Sequence, residues 1–71
     1  MRILLNDPLL VDDLREYLER CNCDVQLRGA RAVEAVPSDR DVEPVYLRME
    51  LDAYLRVWLL LHPGAEVSIA A

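Results

Sequence analysis

The chain contains no lysine; its eight basic residues are all arginine, set against 13 acidic residues for a formal net charge of -5. That balance disfavours nucleic acid as a partner. A polyanion is held by a basic face whose charges displace condensed counterions, and neither the number nor the clustering of these arginines builds one. Glycine is scarce, at two residues, and no glycine-rich phosphate loop is present. No serine sits in a nucleophile elbow, and the single histidine, His62, has no His-Glu zinc-binding spacing around it. The two cysteines, Cys21 and Cys23, stand one residue apart, too close for an ordinary structural disulfide. Two thiolates do not complete a tetrahedral zinc site. No apolar run approaches the roughly 18 residues of a membrane span, and Met1-Arg2-Ile3-Leu4-Leu5-Asn6-Asp7 carries too short an apolar run for a secretory signal. These absences lead to the expectation of a cytoplasmic protein with free thiols, no cofactor, no metal, no membrane contact and no catalytic residue.

Apolar side chains, by contrast, are in surplus. They make up 54% of the 71 residues, against roughly 45 to 50% in globular chains, while the charged share reaches 30%. A chain of this length builds one core, so a single domain over 1–71 is expected, and such domains are marginal because they bury only about 60% of their unfolded surface. Oligomerisation is a common way for a small domain without metal or disulfides to gain stability.

The pattern predicts six elements. Ile3 to Leu5 is a short strand, ending at Asn6-Asp7-Pro8, where Asp7 can cap a helix that Pro8 opens. From Pro8 to Arg20 the residues Leu10, Leu14, Tyr17, Leu18 and Cys21 recur at helical spacing, with Asp12, Asp13, Arg15, Glu16, Glu19 and Arg20 opposite. Asn22 suits the left-handed residue that ends a helix. Cys23 to Arg28 alternates as a half-buried strand, Gly29-Ala30 reads as a two-residue type II′ turn, and Arg31 to Val36 returns until Pro37. Ser38-Asp39-Arg40-Asp41 offers two caps, and a second helix is expected to begin near Asp41 and run through Val45 to His62. From Leu47 to Leu59 the residues also alternate as a long strand would, but Leu47, Leu51, Leu55 and Leu59 repeat every four and the residue types favour helix. After His62-Pro63-Gly64, Ala65 to Ile69 reads as a last strand. The order is that of an α+β, ferredoxin-like βαββαβ domain: an antiparallel sheet with two helices on one face.

The second helix has one narrow polar face, Arg48, Asp52 and Arg56, and apolar residues nearly everywhere else. One sheet cannot cover so wide an arc. Self-association or contact with a protein partner is therefore expected, with Tyr54, Trp58 and Leu61 as anchors, since Tyr and Trp are enriched at such contacts. Two other readings remain open. Cys21 and Cys23 could serve thiol redox or metal binding, although both fall on faces that should be buried. Arg28, Gly29 and Arg31 at the hairpin could present guanidinium and backbone N–H groups to a small anion. His62 is placed to meet the negative end of the helix dipole, and the acidic pairs Asp12-Asp13 and Asp39-Asp41-Glu43 suit a solvated face and a helix start.

Asp7-Pro8-Leu9, then Leu14-Arg15, Leu18-Glu19, Val25 and Arg28-Gly29, resemble the small bacterial family of prokaryotic signal-transducing proteins, which is similar to the core of the PII-type regulators. The resemblance runs from Asp7 to Gly29 and more loosely through Val36-Pro37 and the second helix. It implies an intracellular regulatory or interaction domain without catalysis. This chain has Cys21-Asn22-Cys23 where that family tends to have glycine, and no residue role carries over.

Overall fold

A computed structural model describes residues 1–38 and 43–70. Strand β1 (Arg2–Leu5) leads through Asp7, whose Oδ1 accepts the Leu9 N–H at 2.9 Å, into a short 3-10 helix at Pro8–Leu10 and then helix α1 (Val11–Arg20). Asp7 thus caps the entry as expected, with Pro8 supplying no N–H where none has a partner. Asn22, at φ 61°, takes the left-handed conformation that turns the chain out of α1. Strands β2 (Cys23–Leu27) and β3 (Ala32–Pro37), helix α2 (Pro44–Leu61) and β4 (Val67–Ala70) complete the order.

The four strands form one sheet in the order β2-β3-β1-β4 with every neighbouring pair antiparallel, the ferredoxin-like βαββαβ arrangement. Ile3, Leu5, Cys23, Val33 and Ala35 are buried on one sheet face together with Val11, Leu14 and Leu18 of α1 and Leu51, Leu55 and Trp58 of α2. Both helices therefore cover the same face. The outer sheet face mixes Arg2, Asp24, Gln26, Glu34 and Ser68 with the apolar Leu4, Ala32, Val36 and Ala70, the mixture that antiparallel sheets show toward water.

The hairpin differs from the two-residue turn expected at Gly29-Ala30. The Arg28 N–H donates to the Ala32 carbonyl at 2.9 Å, leaving a three-residue loop of Gly29, Ala30 and Arg31. The physical reason lies in the register. A two-residue turn would set Val25 opposite Glu34, whereas the observed pairing sets Cys23, Val25 and Leu27 opposite Pro37, Ala35 and Val33. Directly opposed residues share a face, so the longer loop brings the apolar positions of both strands together. Pro37 ends β3 as its last member rather than standing beyond it.

The segment from Leu47 to Leu59 is helical. α2 begins at Pro44, later than the start expected near Asp41, with Glu43 extended before it at φ -63° and ψ 149°. Proline fits the first helical position and restricts the residue before it to extended backbone, which together set the boundary. Asp39, Arg40 and Asp41, expected as part of the cap, lie outside the described residues. β4 is displaced by two residues from the expected start at Ala65, because the Asn6 side chain binds the preceding loop: its Nδ2 donates to the Gly64 carbonyl at 3.2 Å and its Oδ1 accepts the Glu66 N–H at 2.8 Å.

Candidate functional site

α2 has two apolar faces. Inward, Leu51, Leu55 and Trp58 are buried, with Leu47, Tyr54 and Leu59 partly so. Outward, Tyr46, Met49, Ala53, Val57 and Leu60 follow one another at steps of three or four, so that at about 3.6 residues per turn they form one stripe. Val45, Tyr46, Met49, Val57, Leu60 and Leu61 are each more than half exposed, Leu60 at 81%, and they are six of the ten large apolar side chains exposed among the described residues. Contiguous apolar surface concentrated in this way marks a contact site more often than scattered exposed leucines do. Beside the stripe, the Arg56 guanidinium pairs with Asp52 at 3.1 Å. Ala53, small among larger neighbours, leaves a shallow hollow of about 330 Å³ lined by Met49, Asp52, Ala53 and Arg56.

The three expected anchors divide. Leu61 is on exposed surface, but Trp58 is fully buried and Tyr54 is partly buried, both engaged within the fold. Trp58 donates its indole N–H to Asp13 Oδ1 at 2.9 Å, and its ring stacks on His62 with centroids 4.3 Å apart. His62 Nε2 lies 3.1 Å from the same Asp13 oxygen, and its Nδ1 lies 3.0 Å from the Trp58 carbonyl oxygen. This cluster joins the end of α2 to the first turn of α1. Tyr17 adds a second tie, donating its hydroxyl to the Tyr54 carbonyl at 2.9 Å. Tyr54 in turn donates to Glu50 at 2.6 Å, a hydrogen bond that, with burial, pushes the Tyr54 hydroxyl up to about 12. The outward stripe is therefore carried by Tyr46, Met49, Val57 and Leu60, while the largest aromatic side chain completes the core.

Asp13 was legible only as part of a solvated acidic face, and its partners Trp58 and His62 stand too far along the chain for spacing to reveal them. The outer stripe did leave a signal, in the apolar residues that one sheet could not cover.

Cys21 is half-buried at the end of α1 and Cys23 is buried at the start of β2, both as free thiols. Burial, reinforced by Cys21, Glu50 and Asp24, pushes the Cys23 thiol up to about 11, which keeps it protonated and weakly nucleophilic at neutral pH. Among the described residues no three His, Cys, Asp or Glu side chains converge into a metal-binding group. The hairpin places Arg28, Gly29 and Arg31 together in exposed positions, with Arg28 donating to the Gln26 side chain at 2.7 Å and Gly29 at φ 133°. No helix among the described residues is long and apolar enough to cross a membrane. Comparison of the chain with protein-family models, curated proteins and solved structures returns no match, so the site is read from its own geometry.

Proposed function

We propose that this chain is a regulatory or protein-interaction module, without catalysis of its own, that self-associates through the outer face of α2. The observation that carries the reading is the outward stripe of Tyr46, Met49, Val57 and Leu60, extended at the helix ends by Val45 and Leu61, on a helix whose opposite face already fills the core. Six large apolar side chains left in water on one element are a standing cost that association removes. The resemblance to the signal-transducing family fits a regulatory setting.

Light scattering tests the reading. The wild type should elute at a multiple of its 8.2 kDa chain mass, and Leu60→Glu and Met49→Glu should each lower that mass while circular dichroism stays unchanged, because neither side chain is part of the core. Single-chain mass for the wild type at all concentrations, or variants that keep the wild-type mass, would sink it.

A further inference from the structure

Resting on self-association through α2, we infer that the partner is a second copy of this chain, docked with the two α2 helices antiparallel about a two-fold axis that passes at Ala53. Three features of the helix lead to this arrangement. First, Ala53 sits at the middle of the outward stripe and is its smallest member, so two helices approach closest where Ala53 meets its own copy. Around that point an antiparallel pair brings Met49 level with Val57 and Tyr46 level with Leu60, matching apolar residues from end to end. Second, Met49, Asp52 and Arg56 lie on one flank of the stripe, where they line the hollow beside Ala53. A two-fold axis perpendicular to the helices keeps each flank against its own copy. The partner's Arg56 then arrives level with the gap between Met49 and Asp52, and its side chain enters the hollow.

Third, the charges discriminate between orientations. In the antiparallel pair the four flank charges run Arg56, Asp52, Asp52, Arg56 along the axis, so each arginine stands beside the other chain's carboxylate as well as pairing with its own, and the two arginines offset the approach of the two Asp52 side chains. A parallel pair exchanges the flanks and sets Asp52 of one chain near Glu50 of the other, carboxylate against carboxylate. Opposed charges across an interface select partner orientation even where they add little affinity, and this selection is what Asp52 and Arg56 supply.

Charge exchange at these two positions provides the test. Asp52→Arg leaves the flank with arginines alone, three counting Arg48, and Arg56→Asp sets two carboxylates beside Arg48; both residues are at the surface, so folding is checked by circular dichroism and should hold. Each variant alone should dimerise about tenfold or more weakly than the wild type by light scattering, and an equimolar mixture should recover dimer to within about threefold. A wild type that dimerises, is dissociated by Leu60→Glu, and shows no recovery in the mixture would overturn the antiparallel docking while leaving the α2 contact standing. A wild type that stays at single-chain mass would overturn both.

Discussion

Replacing Asp13 by alanine should destabilise the domain by about 2 kcal/mol, although Asp13 belongs to no hydrophobic core. Its Oδ1 is the acceptor for the indole N–H of Trp58, a side chain with no solvent exposure. Without that oxygen a buried donor is left unpaired, which costs about 1 to 3 kcal/mol. The Asp13–His62 contact adds little, because the Asp13 side chain is half exposed and solvent screens it. In a domain of this length about 2 kcal/mol lowers the melting temperature by roughly 8 to 16 °C. Asp13→Asn separates the causes: it keeps an oxygen for the indole and loses only the charge, so it should cost about 1 kcal/mol or less. Urea titrations followed by circular dichroism give the free energies, and the fluorescence of the chain's single tryptophan reports on the indole environment in the same samples. Asp13→Ala within about 0.5 kcal/mol of the wild type would refute the dependence of Trp58 on this carboxylate. Equal losses for Asn and Ala would show that the charge, and not the acceptor, carries the effect.

Alkaline pH should weaken the fold. The Tyr54 hydroxyl is held up to about 12 by its hydrogen bond to Glu50 and by burial, and the Cys23 thiol up to about 11 by burial, while in the unfolded chain they ionise near 10 and 9. The unfolded state sheds these protons first, so stability present below about pH 9 is lost progressively as pH rises toward 12; a urea midpoint unchanged between about pH 8 and 11 would contradict this. Thiol labelling at neutral pH should modify Cys21 well before Cys23, whose modification waits on opening of the core; equal rates in the native state would show that Cys23 is accessible. Gly29→Ala should destabilise by about 1 kcal/mol through backbone conformation alone, because φ is 133° and nothing lies within 4 Å of an added Cβ; an unchanged melting temperature would refute the strain.

What could be read ahead of the structure were the features written locally. The Asp7-Pro8 entry to α1, the left-handed Asn22 and the alternation of β2 each depend on neighbours within a few residues; the first two stand where expected, and the burial of β2 alternates through Cys23 and Val25 but ends before Leu27, which is exposed. The hairpin register was less legible because it is decided between strands: the apolar face of β3 selects a three-residue loop over the turn that Gly29-Ala30 favours locally. The start of α2 is set by Pro44, with Glu43 extended before it. For the candidate site, the apolar excess of α2 was visible in composition, but its division between inside and outside was not. Trp58, an expected anchor by residue type, is instead buried with its indole bound to Asp13 of α1, 45 positions away, and Tyr54 is partly buried with its hydroxyl bound to Glu50 of its own helix.

The alternation from Leu47 to Leu59, which made that segment resemble a strand, has a physical explanation in the helix itself. Residues two apart on a helix point in nearly opposite directions, so a one-faced amphipathic helix does not alternate. Alternation arises when two stripes of period four interleave on opposite faces. Here Leu47, Leu51, Leu55 and Leu59 make the inner stripe, and Met49, Ala53 and Val57 make the outer one. Arg48, Asp52 and Arg56 fill one flank between them, with Glu50 on the other. The strand-like pattern and the outward apolar face are thus one feature of the residue order. The inner stripe answers to the sheet and α1. The outer stripe has no partner among the described residues, and its charges are confined to the flanks, where they leave the centre at Ala53 free for close approach. Perturbing Leu51 or Leu55 should therefore unfold the domain, whereas perturbing Met49 or Leu60 should leave it folded and change only what it binds.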